Sequence, residues 1–484
     1  MTARPTVTDL GTVHLVGIGG AGMSVVARLL AADGAAVQGS DARRSVTTDQ
    51  LVAEGVTVHV GHRASNLGDA TTVVLSSAVR DDNPELAGAR ARGLRIMHRS
   101  EALAVLMAGR RSVAVAGAHG KTTTSALTAV TLRGAGLDPS FAIGGTVLTE
   151  DGPLPGGHRG TGDVLVAEAD ESDGSFLNYR PTVAVVTNVE PDHLDHYGTR
   201  AAFEQAFDDF AANVVEGGTL VACADDAGSA ALARRRADAG ARVVTYGTAS
   251  AAGATVSGYV VDDLSGGCSF VLTLHPGTSL VDEDVRLDVR LRVSGEHNAS
   301  NAAAAVVAAV VLGVTPDEAA RAVGEFRGTG RRFETRGEVG GVRVVDDYAH
   351  HPTEVAALLA AARGVARGGR VLALFQPHLY SRTRIFAQEF ADAFDAADLV
   401  VVCDVYAARE DVDPSVGPHL VVDRMRSGRG RVVLDRVEAA LTVASEAAPG
   451  DVVLTVGAGD VTELGSTVLD ALAQRLGGSS PGAT

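Results

Sequence analysis

The sequence predicts an α/β protein built from three nucleotide-fold-like sections. Short apolar runs recur along the chain, each followed by glycine, serine or acidic residues and then by a helical stretch. Two glycine-bearing turns, one at Gly17 and one at Gly117, each stand between such a strand and a helix. The 484 residues are 46% hydrophobic but 4% aromatic with no tryptophan, which suits cores packed from Ala, Val and Leu. The length suggests two to four domains.

The first section opens with the strand Thr12–Val16. Gly17, Gly19 and Gly22 then fit G-x-G-x-x-G ahead of a helical run from Val25 to Ala32. Asp41 ends the next strand, where an acidic residue would meet a ribose hydroxyl. A third strand, Thr72–Leu75, ends in Ser76 and Ser77. These residues alone fit a nicotinamide or flavin dinucleotide, another diphosphate, or a tight turn with no ligand.

The second section begins near Gly109. The strand Ser112–Ala116 leads into Gly117-Ala118-His119-Gly120-Lys121-Thr122-Thr123, the short G-x-x-G-K-T form of a phosphate-binding loop, with Val115 where the longer pattern has glycine. Of 42 Lys and Arg residues, Lys121 is the one lysine. Its compact ammonium fits among phosphate oxygens where a planar guanidinium does not. The Thr122 hydroxyl suits Mg²⁺. A strand over Asp163–Ala167 runs into the carboxylates of Glu168, Asp170, Glu171 and Asp173, placed where such domains bind Mg²⁺. The strand Val183–Val186 ends near His193 and His196, candidates for a metal or substrate role. Residues 248–293 read as small antiparallel strands. Before the Ala302–Leu312 helix, Asn298 and Asn301 serve either as caps or as paired ligand contacts.

The third section starts around Arg327. Its strands Val342–Val345, Val371–Phe375, Leu399–Cys403 and Val452–Val456 each end in polar residues, as open α/β sheets do where they bind ligands. Pro352 suits the first turn of a helix.

The net charge of −17 argues against a general nucleic-acid or membrane binder. Cys223, Cys268 and Cys403 match no metal spacing and read as free thiols of a reducing cytoplasm. No signal pattern stands at the N-terminus, and no apolar run reaches the ~18 residues of a membrane span.

With these motifs, and above all Asp346-Asp347-Tyr348-Ala349-His350-His351-Pro352-Thr353-Glu354 and Phe375-Gln376-Pro377-His378, the chain resembles the Mur ligases, in particular their alanine-adding branch, over nearly its whole length. The resemblance implies a Rossmann-like domain over 1–109 that binds a UDP-sugar, a phosphate-loop ATPase domain over 110–326 and a Rossmann-like domain over 327–484 that receives the amino acid. It implies a cytoplasmic enzyme that uses ATP and Mg²⁺ to join UDP-N-acetylmuramate to L-alanine. Gly19, Gly20, Ala21, Gly22, Met23, Ser24, Asp41, Ser76 and Ser77 would hold the sugar nucleotide. Gly117–Thr123, Asn301, Arg332 and Asp346 would hold ATP. Thr122 and Glu168 would hold Mg²⁺, with Glu171 in reserve and His193 at a second metal. His351, His378 and Arg382 would line the alanine and acyl-phosphate region. A monomer and a homodimer are both compatible with it. Two rivals are a sibling ligase that attaches a whole peptide and a nicotinamide-dependent oxidoreductase.

Overall fold

Parallel strands joined by helices form three sheets, as the alternation of apolar runs and helical stretches requires. The computed structural model describes residues 5–150, 152–191, 194–262, 267–366, 368–408 and 410–476, so His193 lies outside the described residues. The chain divides into two units, one up to Arg327 and one from Gly328.

In the first unit, β1 (Thr12–Val16), β2 (Ala36–Asp41), β3 (Thr57–Val60), β4 (Thr72–Leu75) and β5 (Arg95–His98) make a parallel sheet in the order β3-β2-β1-β4-β5. The order reverses beside β1, so the turn after β1 opens between the ends of β2 and β4.

The second sheet of this unit follows. Its strands are β6 (Arg111–Ala116), β7 (Ser140–Ala142), β10 (Gly157–His158), β11 (Val164–Glu168), β12 (Val183–Val186), β13 (Thr219–Cys223), β14 (Val243–Gly247), β15 (Ala254–Val261), β16 (Cys268–Leu274) and β17 (Val285–Leu291). A separate hairpin pairs β8 (Val147–Thr149) with β9 (Gly152–Leu154). The order is β10-β7-β11-β6-β12-β13-β14-β15-β16-β17. The expected antiparallel strands over 248–293 are present, and parallel pairing of β15 to β14 fuses them to this sheet. β11 and β12 flank β6 in parallel, with Glu168 beside Val115 and Val186 beside Ala116. Val113–Ala116, Val164–Ala167 and Val183–Val186 are fully buried, because helices cover both faces of a parallel sheet.

The Lys121–Gly134 helix packs against the Glu296–Val311 helix. Ala302–Ala305, Ala308 and Ala309 are fully buried there, and their small side chains let the helices approach closely. The two sheets of this unit share a core in which Leu15, Met23 and Leu103 join Ala114, Ala167 and Phe207.

The second unit holds β18 (Glu334–Val339), β19 (Val342–Asp347), β20 (Val371–Phe375), β21 (Leu399–Val402), β22 (Gly430–Val432) and β23 (Val452–Val456), in the order β18-β19-β23-β20-β21-β22. Only the edge strand β18 is antiparallel. The four polar strand ends expected from sequence thus belong to the adjacent strands β19, β23, β20 and β21. Among the described residues, no helix is long and apolar enough to cross a membrane.

Candidate active site

The phosphate loop leaves β6 between the ends of β11 and β12, and both neighbours shape it. Gly117 has φ 139°, and a Cβ added there would stand 2.0 Å from the Thr187 hydroxyl. Gly120 has φ 80°, a left-handed conformation that suits glycine just ahead of the helix. From the end of β12, Thr187 Oγ1 donates to the His119 carbonyl at 2.5 Å. Asn188 Oδ1 accepts from His119 N–H at 3.0 Å, and its Nδ2 donates back to the His119 carbonyl at 3.1 Å. This two-point hold is not legible in the sequence, although Asn188 lies two residues past a buried strand. Asn188→Ala should weaken ATP binding about tenfold, the worth of roughly 1–1.5 kcal/mol of hydrogen bonding, with little change in melting temperature. Calorimetric titration checks this, and unaltered affinity would show that the loop keeps its shape without Asn188.

Lys121 opens the helix, and its ammonium donates to the carbonyls of Gly117 (2.6 Å) and Ala118 (3.2 Å) and to Glu171 (2.9 Å). Burial works against its charge, but Glu171, Asp170 and Glu168 outweigh burial and raise its pKa. Glu171 is fully buried. Burial pushes its carboxyl up to about 7, against the pull of Lys121. Thr122 donates to Glu168 Oε1 at 3.0 Å, while Glu168 Oε2 accepts from Gly144 N–H at 2.8 Å. The two residues expected to hold Mg²⁺ are therefore in direct contact. A hydroxyl and a carboxylate at a phosphate-loop helix start are the hard oxygen donors that Mg²⁺ takes.

Asn298 and Asn301 part company. Asn298 turns back to donate to the Ser294 carbonyl at 2.7 Å. Asn301 lies against the loop, where a Cβ on Gly120 would stand 3.0 Å from its Oδ1.

At the other turn, Gly17 and Ile18 N–H groups donate to the Ser40 carbonyl (2.8 and 2.9 Å). Gly19 N–H donates to Asp41 Oδ2 at 2.9 Å, so this carboxylate closes the turn itself. Met23 and Ser24 are buried, so Gly19–Gly22 form the accessible part of the turn. Ser76 is half-buried, while Ser77 is exposed and hydrogen-bonds Asp173.

In the second unit Asp346 is fully buried, and its oxygens accept from the hydroxyls of Thr455 (2.6 Å) and Thr462 (2.7 Å). Arg332 lies 5.3 Å from the Tyr348 ring centroid and 3.6 Å from Glu354. His351 acts as a helix cap: its Nδ1 accepts from Thr353 N–H (3.4 Å), and its own N–H donates to Glu354 (3.3 Å). Arg382 donates to His378 Nδ1 at 3.4 Å, and His378 stacks on Tyr406 with centroids 5.8 Å apart. His350, absent from the sequence-derived candidates, has its Nδ1 3.1 Å from the Tyr348 carbonyl and 3.3 Å from Glu354. Its proton therefore sits on Nδ1, which leaves the Nε2 lone pair free. Burial lowers its pKa and keeps the ring neutral, with Arg382 and His378 adding to the fall and Glu354 opposing it.

Three family models match in chain order: the Mur ligase family catalytic domain over residues 12–111, the Mur ligase middle domain over 115–309, and the Mur ligase glutamate ligase domain over 331–459. The chain belongs to the Mur ligase family. As a Mur ligase it is an ATP-dependent, amide-bond-forming enzyme of peptidoglycan precursor synthesis, which displaces the nicotinamide reading of the first turn. It is 56% identical over 478 residues to a UDP-N-acetylmuramate–L-alanine ligase of Kineococcus radiotolerans, covering 97% of this chain and 98% of the relative. It is 53% identical to the ligase of the same name from Renibacterium salmoninarum, with 96% and 97% covered. Among solved structures, the UDP-N-acetylmuramate–alanine ligase of Thermotoga maritima matches with TM-score 0.79 and 29% identity, covering 96% of this chain and 99% of that one. A murein peptide ligase of Psychrobacter arcticus shares the fold at TM-score 0.70 and 24% identity, with 96% and 98% covered.

Proposed function

We propose that the chain joins L-alanine to the lactyl carboxylate of UDP-N-acetylmuramate in the cytoplasm, with ATP converted to ADP and phosphate. The observation that carries the choice of substrates is the identity of 56% and 53%, essentially end to end, with two UDP-N-acetylmuramate–L-alanine ligases. The peptide-ligase reading rests on a likeness of 24% identity, which speaks to fold alone.

The chemistry fits the residues. A carboxylate is a poor electrophile because oxide would have to leave. Transfer of the γ-phosphoryl group to a lactyl oxygen gives an acyl phosphate, and the alanine amine then attacks its carbonyl carbon and expels phosphate. Two anions must first be held together, which takes concentrated positive charge. Lys121 and the N–H groups of the loop supply it. Mg²⁺, held by Thr122 and Glu168, would neutralise phosphate charge. Arg382 is suited to clamp the alanine carboxylate through paired N–H donors. The attacking amine must lose a proton, and a histidine of this region would accept it. Burial lowers the His350 pKa to about 3, which makes that ring a weak base and favours another histidine.

The assay is phosphate release from ATP with UDP-N-acetylmuramate and, in turn, alanine, glycine, serine and a tripeptide. Alanine should be preferred, and release should need both co-substrates. Release indifferent to UDP-N-acetylmuramate, or a preference for the tripeptide, would reject the proposal. A second expectation comes from the lysine count. Some sibling ligases use a CO₂-modified lysine as an extra metal ligand; here the one lysine, Lys121, is bound to loop carbonyls and Glu171. Turnover in degassed, bicarbonate-free buffer should equal turnover with bicarbonate restored. A drop rescued by bicarbonate would reveal a carbamate on another group.

A further inference from the structure

A diphosphate needs a local cation in a chain of net charge −17, yet the segment Thr12–Ser24 that carries the glycine turn contains no lysine or arginine. The nearby cation stands directly after β5. Arg99 is the first residue of the Arg99–Met107 helix, and its guanidinium lies directly against Gly22, where an added Cβ would stand 2.3 Å from Nη1. Glycine at 22 thus leaves room for the cation on the turn.

An arginine head carries several N–H donors in a planar fork. Among the described residues this one makes a single hydrogen bond, from Nη2 to Asp170 Oδ2 at 2.7 Å. Its side chain retains 26% exposure. The Ala21–Ala32 helix starts beside it with no side-chain cap on its N–H groups. The position is fixed from several sides. His98 caps the Arg99 helix and lies 3.6 Å from Asp173, and Asn178 donates to Ser100 at 2.8 Å. Asp170 anchors Arg99 through that hydrogen bond, one residue before the Glu171 that pairs with Lys121.

We propose that Arg99 is a substrate-binding residue whose free donors take an oxygen of the sugar nucleotide's diphosphate at the Gly17–Gly22 turn, while Asp170 holds the guanidinium in place. The inference rests on the proposed function, and it adds a named cation for the diphosphate together with a direct link from that cation to the acidic run beside the phosphate loop.

The test compares wild type with Arg99→Ala and Arg99→Lys by titration with UDP-N-acetylmuramate, UDP, uridine and ATP. Arg99→Ala should bind UDP and UDP-N-acetylmuramate about tenfold or more weakly, the loss expected for a charge-assisted contact. It should bind uridine and ATP as wild type does, which a merely structural role for Arg99 would not produce. If Arg99→Ala does not fold, Arg99→Lys keeps the charge but not the fork, and its UDP affinity should fall severalfold with uridine unaffected. Unaltered UDP affinity in a folded variant overturns the proposal, as does equal weakening for uridine. Weakening confined to UDP-N-acetylmuramate would overturn it too, because the contact would then be to the sugar's carboxylate. A wild-type protein that binds neither UDP nor UDP-N-acetylmuramate would overturn the proposed function itself, which separates the two failures.

Discussion

Lys121→Arg and Lys121→Ala should each lose most turnover while the protein stays folded. The ammonium fits a pocket made by the Gly117 and Ala118 carbonyls and Glu171, all within 3.2 Å. A guanidinium keeps the charge but is too broad and flat to donate to the same three partners. Loss of a contact to transferring phosphate should cost on the order of 3 kcal/mol, roughly a hundredfold in rate. The alanine variant carries a second signature. Glu171 titrates at about 7 rather than the ordinary 4.5. A carboxyl with a raised folded-state value contributes stability that is full below 4.5 and lost as pH rises through the folded value. Removing Lys121 takes away the cation opposing that rise, so the buried carboxyl moves higher still. Lys121→Ala should therefore melt closer to wild type at pH 6 than at pH 8.5. A Lys121→Arg enzyme with near-normal turnover would show that the single lysine is incidental.

The features legible in the sequence were those set by local physics. Thr72–Leu75, Val183–Val186, Val371–Phe375 and Val452–Val456 form strands over the expected residues. A short continuous apolar run bounded by turn residues has few other ways to be buried on both sides. The phosphate loop was legible for a related reason: its glycines need left-handed or crowded backbone that other residues resist. What stayed hidden depends on which strands are neighbours. Asn188 holds His119 because β12 lies beside β6, and Arg99 meets Asp170 across 71 positions of sequence. No periodicity encodes either pairing. Asp41 was found as a residue but not as a contact, because the sequence could not show that the Gly19 N–H would reach its carboxylate first. The short strands β7 to β10 escaped because glycine and proline interrupt them and their pairing comes from tertiary neighbours. The sequence does not separate the environments of His350 and His351, because adjacent identical residues differ only in where the backbone aims them. One caps a helix, and the other keeps a free ring nitrogen.

Glu168→Gln should abolish turnover as thoroughly as loss of Lys121, but by a route that Mg²⁺ titration can distinguish. Glu168 ends β11, and the parallel pairing to β6 brings it level with the start of the phosphate loop. One oxygen accepts from Thr122 and the other from Gly144 N–H, so its carboxylate is oriented from both sides. The amide keeps the size and one acceptor, and it loses the negative charge that attracts a divalent cation. Turnover should fall about a hundredfold or more, and the Mg²⁺ concentration for half-maximal rate should rise. Glu171→Gln provides the contrast. Glu171 is fully buried and bound to Lys121 at 2.9 Å, so its loss should lower the rate through the lysine and leave the Mg²⁺ requirement where it was. If Glu171→Gln shifts the Mg²⁺ dependence and Glu168→Gln does not, the metal role belongs to the reserve carboxylate. The Thr122–Glu168 contact would then be a purely structural hydrogen bond that fixes the first turn of the Lys121–Gly134 helix.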